Sequence, residues 1–301
     1  MITYVEISLF ESPAQTLVNT VNTIGVMGKG IAATFKKIYP DMYKEYRRLC
    51  QTGQFDIGML YIYRTPNKII VNFPTKKNWR YPSKVEYIKA GLEKFVARYH
   101  EYGISSVSFP QLGCGHGELD WESQVHPIME HYLKDLPIPV YIHLYKRPPD
   151  FVPERMDAEY YRQALLERQR ISSDQLWQDL KGLSDGSMDN EYQLSLFGPS
   201  VHVNDEYIRF TTVSGDRIRV YREDIEEIWN ILRIRGTIQE VDIPEAIRDD
   251  GASEWLLDFL SRLKYIRTIQ LRSHGSKEFS RGLQYDPQPE ESAINQIDVV
   301  V

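Results

Sequence analysis

Short apolar runs alternate with amphipathic stretches over the first 147 residues. Ile2–Ile7, rich in Ile, Thr, Tyr and Val, predicts a first strand, and Leu17–Val21 a second. A turn carrying Gly25, Gly28 and Gly30 follows, and a helix opens at about Ile31 and runs to Tyr39. Pro40 interrupts that helix, and Asp41–Cys50 resumes helical spacing before Gly53. Ile57–Tyr63 and Lys68–Phe73 predict strands around a turn at Pro66–Asn67. Lys84–Tyr102 is the clearest helix, with Ile88, Leu92, Phe95 and Val96 on one side and Gly103 as its stop. Ser106–Phe109 predicts a strand that enters a second glycine-rich loop, PQLGCGHGELDW. A helix through Ile128–Leu133 and a strand at Val140–Tyr145 close the series. Strands alternating with helices imply an α/β fold, a mixed and largely parallel sheet flanked by helices. In such sheets ligands collect at the carboxyl ends of strands, where both glycine-rich loops fall.

The pattern changes near Arg147–Pro153, where KRPPDFVP carries three prolines and little apolar periodicity. Asp157–Arg170 predicts a polar, charged helix and Ser173–Lys181 another, with a Gly, Ser, Asp and Asn-rich linker over Gly182–Ser200. A smaller α+β module begins near Val203. Tyr207–Val213 and Arg217–Tyr221 flank Ser214-Gly215-Asp216 as a hairpin, Asp224–Ile234 and Glu254–Lys264 are amphipathic helices, and Ile266–Leu271 is a last strand. The expected organisation is residues 1–147 as one domain, 148–202 as helical segment and linker, 203–286 as the α+β module, and 287–301 as a flexible acidic tail.

Composition narrows the class. The chain has 301 residues, 42% of them hydrophobic, which allows two folded domains. No apolar run approaches the roughly 20 residues of a membrane span, and MITYVEISLF lacks a basic region ahead of an apolar core, so a cytoplasmic protein is expected. Two cysteines, Cys50 and Cys114, imply no disulfide framework. His126 and His131 stand near no metal-binding spacing, so neither a metal nor a cofactor is expected. The net charge of −6 is uneven. Residues 1–150 hold 18 basic against 14 acidic residues, a net of +4, and the rest holds 18 against 28, a net of −10. The first half can tolerate a polyanion that the second would repel.

Glycines admit close approach of an anion, and unpaired N–H groups at a helix start point at negative charge. Gly28, Gly30 and the following helix start could therefore form one wall of a phosphate cradle, with Gly113-Cys114-Gly115-His116-Gly117 as the other. The spacing fits neither of the two usual nucleotide motifs, and a plain strand-to-helix connection carries the first pattern equally well. Asn22 ends the second strand, placed either to form the turn or to hydrogen-bond a ribose hydroxyl. After the Lys68–Phe73 strand comes PTKKNWRYPSK, with Lys76, Lys77, Arg80 and Lys84 as cations. It is a solvated charged loop, or it sets a lysine of depressed pKa beside the cleft, as a nucleophile or as a fixed positive charge. Trp79 and Tyr81 could stack on a base or wall the pocket.

VNTVNTIGVMGKGIAATFKK, NFPTKKNWR and FPQLGCGHGELDWE, in that order, resemble a macrodomain of the subgroup holding the terminal ADP-ribose glycohydrolases and the DarG antitoxins of DarT–DarG systems. The resemblance covers about residues 1–147 and implies ADP-ribose as ligand. By that resemblance Asn22 contacts the distal ribose, Gly28, Gly30 and Ile31 lie on one side of the diphosphate, and Gly113, Cys114, Gly115, His116 and Gly117 lie on the other. It makes Lys76 the catalytic lysine, or Lys77 if the register shifts by one. Many macrodomains hold the adenine amino group with an Asp where this chain has Ser8, so adenine leans on Leu9 and Phe10. Glycohydrolases acting on modified glutamate carry an acid where this chain has Gly117, which favours the DarG-like branch; His116, Glu118 or Asp120 could substitute. The expected activity is removal of ADP-ribose from ADP-ribosylated DNA, as antitoxin to a DarT-like toxin bound by the C-terminal module. The alternatives are a non-catalytic ADP-ribose reader and a hydrolase of protein-linked ADP-ribose. The C-terminal half resembles no named family.

Overall fold

Six strands form the sheet of the first unit, in the order β1 (Ile2–Val5), β6 (Val140–His143), β5 (Val107–Pro110), β2 (Thr16–Asn22), β4 (Ile69–Lys76) and β3 (Tyr61–Arg64). Every pairing is parallel except β3 with β4, which gives the mixed, largely parallel sheet expected. The structure, a computed structural model, describes residues 2–65, 68–144, 171–184, 192–194 and 198–286. The chain divides into Met1–Leu166 with Arg272–Phe279, and Glu167–Leu271 with Ser280–Val301.

Central parallel strands are covered on both faces, so their sequences are nearly continuous in apolar residues. Along β4 the alternation of the pleat sends Val71 and Phe73 to one core and Ile70 to the other. The first core packs α3 (Val85–Arg98) and α4 (His126–Leu133) through Ile88, Leu92, Phe95 and Met129. The second packs α1 (Gly30–Ile38) and α2 (Pro40–Gln51) through Phe35, Met42 and Tyr46. Gly91 is where α3 meets β4 most closely: a β-carbon there would lie 2.1 Å from Cζ of Phe73.

Local differences from the sequence reading have local causes. The strand expected from Ile57 starts at Tyr61, because Asp56–Met59 forms a turn with Gly58 at φ +80°. Strand β4 continues past Phe73, through Pro74, to Lys76. Pro40 is the first residue of α2, where its missing N–H leaves no gap. Asp120 caps a wide helical turn, Trp121–Val125, that leads into α4 earlier than the expected start at Ile128. The turn at Pro66–Asn67, the break at residues 147–153, the helix expected at 157–170 and the tail 287–301 lie outside the described residues.

The second unit holds a four-stranded antiparallel sheet in the order β10 (Arg217–Tyr221), β9 (Tyr207–Thr211), β8 (Ser200–Val203) and β7 (Tyr192–Gln193). It also holds an antiparallel trio, β11 (Thr237–Gln239), β13 (Ser280–Tyr285) and β12 (Ile266–Ser273). The hairpin expected at 214–216 is present, with Gly215 at φ +92°. Helix α5 (Ser173–Ser184) lies upstream of the expected module start at Val203, yet it buries Leu176, Trp177 and Leu180 in the core of this unit. That core also takes in α6 (Arg222–Arg235), α7 (Glu245–Asp249) and α8 (Ser253–Leu260) through Trp229, Ile247 and Leu256. Strands β7, which falls in the stretch read as a linker, β8, β11 and β13 were not expected; they are short or interrupted by Gly282, whose β-carbon would meet the carbonyl of Ile238 at 2.7 Å.

Overpacking a tight core contact costs about 1–3 kcal/mol. Gly91→Ala should lower the stability of the first unit by that amount, read as a lower urea midpoint at unchanged slope. A shift below about 0.5 kcal/mol would contradict the close packing of α3 on Phe73.

Candidate functional site

The parallel pairing of β2 with β4 is regular from Thr16–Ile69 to Val21–Pro74 and then shifts, so that Asn22 stands opposite Lys76 and Thr75 is the extra residue. A bulge of this kind re-aims the side chains at a strand end. It sets Asn22 and Lys76 side by side at the mouth of a cavity of about 980 Å³. The cavity opens between the loop after β2, the start of α1, the Leu9–Glu11 turn and the loop after β5.

The first wall is folded by Asn22 itself. Its Oδ1 accepts from the N–H groups of Ile24 (3.1 Å) and Val26 (3.2 Å), and its Nδ2 donates to the carbonyl of Val26 at 2.6 Å. The hydroxyl of Tyr46 donates to the Asn22 carbonyl at 2.6 Å. Asn22 is therefore the turn-former that its residue type suggested, and it still lines the cavity with one amide hydrogen left to donate. Downstream, Gly30 adopts φ +64° and α1 begins after Lys29 with no side-chain cap. The first N–H groups of a helix have no partner within it. Gly30, Ile31 and Ala32 line the cavity, so the start of the helix and the positive end of its dipole border it, the arrangement that suits an anion.

The second wall is the loop after β5. Gly113, at φ +73°, accepts from the N–H of Leu119, and Ser83 N–H donates to the Gly117 carbonyl at 2.9 Å. Gly117 admits no side chain: a β-carbon would stand 2.2 Å from the Gly113 oxygen and 2.4 Å from Ser83 Oγ. An acid at this position is thus excluded by packing. Glu118, which follows, lines the cavity with φ +63°, the one positive value among the described non-glycine residues. That conformation is strained for a side chain of this length.

Lys76 lies between the walls. Its Nζ donates to the carbonyl of His116. Partial burial lowers its pKa, and the charge of Glu118 opposes that shift. The amine is thus held at a loop rich in backbone donors, and its neutral form is more accessible than that of a free lysine.

Of the residues expected from sequence, Ser8, Leu9, Phe10, Asn22, Gly28, Gly30, Ile31, Lys76, Gly113, Gly115, His116 and Gly117 all border this cavity. Cys114 does not. Its N–H closes a turn on Gln111 and its partly buried thiol, pushed up to about 12 by burial, packs against the core. Lys77 is exposed beside the cavity, and its carbonyl is held by the backbone and hydroxyl of Thr23. Ser8 caps the Leu9–Glu11 turn, its Oγ accepting from Phe10 N–H while the Glu11 carboxylate accepts from Ser8 N–H. Asp120 is fixed as a cap by Ser123 and is not in the cavity wall. Glu11, Gln111 and His143 line the cavity without having been singled out. Ser8-x-x-Glu11 is a capping-box spacing, and His143 falls within the strand expected at Val140–Tyr145 and ends the observed one, so only the first of the three had a sequence signal.

His143 is buried, and its pKa is pushed down to about 4 chiefly by that burial. Its Nδ1 faces the Ile7 carbonyl (3.0 Å), which can only accept, and its Nε2 faces the Ser108 hydroxyl (3.1 Å). The ring is therefore neutral, protonated on Nδ1, and accepts from Ser108.

Residues 18–128 match the Macro domain family model, and the N-terminal half of the chain is a macrodomain. Its relatives include DNA ADP-ribosyl glycohydrolases and, at lower identity over a similar span, the ADP-ribose glycohydrolase OARD1 of Homo sapiens (28%). The chain is 46% identical over 134 residues to the DNA ADP-ribosyl glycohydrolase of Thermus aquaticus, covering 43% of this chain and 37% of that protein. It is 38% identical over 167 residues to a DNA ADP-ribosyl transferase–DNA ADP-ribosyl glycohydrolase fusion protein of Thermosipho africanus, covering 48% of this chain and 43% of that one. Among solved structures, the macrodomain of Thermus aquaticus DarG is 42% identical, with a TM-score of 0.46, covering 49% of this chain and 99% of that one. The chain thus spans less than half the length of the Thermus aquaticus and Thermosipho africanus relatives.

A histidine held neutral lets the unfolded chain take up a proton that the folded chain refuses below the ordinary value of 6.5. The contribution of His143 to stability is complete above pH 6.5 and falls as the pH drops toward about 4. Nitrogen NMR should find the Nδ1–H tautomer unchanged from pH 8 to pH 5. A ring titrating near pH 6.5 would contradict the buried arrangement.

Proposed function

We propose that this chain is a DNA ADP-ribosyl glycohydrolase, releasing ADP-ribose from modified DNA with Lys76 as its catalytic residue. The observation that carries the reading is the bulge that turns Lys76 into a cavity walled by a helix start and a glycine loop, both suited to a diphosphate. The names of the relatives matched over this half support the DNA-linked substrate. The packing around Gly117 supports it too, because that position cannot carry the acid expected of glycohydrolases acting on modified glutamate.

In this reading adenine lies against Leu9 and Phe10, the diphosphate between the Gly30–Ala32 helix start and the Gly113–Gly117 loop, and the distal ribose at Asn22 and Lys76. The free amine of Lys76 attacks the anomeric carbon. As the new C–N bond forms, the glycosidic bond breaks and the departing base takes its electron pair and a proton. Ring opening gives a Schiff base that water hydrolyses, returning the amine and ADP-ribose. A charged Lys76 would instead stabilise the departing group directly. Borohydride separates the two, since it traps only the first as a stable adduct.

The second unit is read as the part that binds a DarT-like toxin, which makes the chain a cytoplasmic antitoxin. The net of −10 beyond residue 150 supports a surface that competes with DNA for a basic groove. The Thermosipho africanus relative, named as a fusion of transferase and glycohydrolase, supports the pairing.

Lys76→Ala should lower release of ADP-ribose from modified DNA by about a hundredfold or more, the scale of a positioned catalytic group. Calorimetry should find its affinity for free ADP-ribose within a few-fold of wild type. Release at the wild-type rate would remove Lys76 from the mechanism. The same variant of the whole 301-residue chain should still form a complex with a DNA ADP-ribosyltransferase encoded beside it, and no complex would contradict the antitoxin reading.

A further inference from the structure

The loop that follows Lys76 carries a feature that release of ADP-ribose does not require. Trp79 and Arg80 both border the cavity, and both are exposed, the indole to 48%. The guanidinium of Arg80 lies over the Trp79 ring, 5.0 Å from its centroid. A large aromatic face left open to water at a cavity rim is a surface waiting for a planar partner. The loop is held in place rather than loose. Thr23 N–H donates to the Lys77 carbonyl, Arg80 N–H to Asn78 Oδ1 at 3.0 Å, Tyr81 N–H to the Asn78 carbonyl at 3.2 Å, and Ser83 N–H to Gly117. It therefore presents its side chains from a fixed backbone that is bonded to both walls of the cavity.

Charge decides what kind of planar partner fits. Lys77, Arg80 and Lys84 are exposed along the same loop, with Tyr81 exposed between them to 66%. Between Lys76 and Lys84 there is no acidic residue. Aromatic faces interleaved with cations are the composition that holds single-stranded nucleic acid, the rings taking bases and the cations taking phosphates. A duplex keeps its bases stacked on one another and offers no free face to the indole.

We propose that Trp79, backed by Arg80, is a stacking subsite for an unpaired base next to the modified nucleotide, and that Lys77 and Lys84 follow the adjoining phosphates. The site engages the strand as well as its ADP-ribose group, and it selects single-stranded over duplex DNA. This rests on the DNA-directed reading of the same cavity, but it can be tested apart from it. Trp79 is the most exposed of the five tryptophans, since Trp121, Trp177 and Trp229 are buried and Trp255 is part-buried.

The test titrates the full chain with an unmodified single-stranded deoxyoligonucleotide and follows tryptophan emission at low salt. Wild type should be quenched on binding. Trp79→Phe should lose most of the quench, and Trp79→Ala should also bind about tenfold more weakly, within the range of one base–aromatic stack. A duplex of the same sequence should bind more weakly than the single strand. Equal affinity of wild type and Trp79→Ala for the single strand, equal affinity for duplex, or no quench would each overturn the subsite. None of these depends on turnover, so a chain that binds the strand but releases no ADP-ribose would refute the catalytic reading and leave this one standing. In an active chain, Trp79→Ala should lower the ratio of kcat/KM on a modified oligonucleotide to that on a modified mononucleotide by about tenfold. An unchanged ratio would again overturn it.

Discussion

The site depends on one irregular step in a regular ladder. Up to Val21 and Pro74 the pairing of β2 and β4 is that of any buried parallel sheet, fixed by apolar residues on both faces. Proline supplies no N–H to a ladder, and directly after Pro74 the register slips by one residue. Without the slip, Thr75 and not Lys76 would oppose Asn22. The loop that Asn22 folds, the start of α1 and the lysine are all placed from that point. A packed interior transmits such a placement with little give, because Phe73 directly before it is locked on Gly91.

The two walls of the cavity reach the same result by different means. One uses a polar side chain as scaffold: Asn22 replaces turn hydrogen bonds while it lines the cavity. The other uses the absence of side chains, with Gly113 in a left-handed conformation and Gly117 pressed against backbone. Glu118 takes up the strain next to that contact, and its charge is the one that opposes the lowered pKa of Lys76. Local strain, packing and the electrostatics of the amine are thereby joined in two consecutive residues of one loop, Gly117 and Glu118.

Much of this was legible in the sequence for physical reasons. The alternation of apolar runs with amphipathic helices reports burial on both faces of a sheet, and the glycine loops fall at strand ends, where ligands collect. What was not legible came from pairing at a distance. Nothing along the chain announces that β4 runs through Pro74 or bulges at Thr75. The wall position of His143 depends on Ile7 and Ser108, which are far from it in sequence. Cys114 has glycine neighbours that line the cavity, but its own thiol packs against the core, which the spacing of the loop does not announce. In the second unit the short strands β8 and β11 hold too few residues for a period to show, and α5 joins the core through three residues, Leu176, Trp177 and Leu180, set among polar ones.

The central claim is that the cavity at Lys76 frees DNA of ADP-ribose. The most direct measurement incubates the full chain with an ADP-ribosylated oligonucleotide and, separately, with an ADP-ribosylated protein, and weighs the products by mass spectrometry. The account predicts an unmodified oligonucleotide and one equivalent of ADP-ribose, with the protein substrate largely untouched. An oligonucleotide that keeps its modification while the protein loses its own would contradict it.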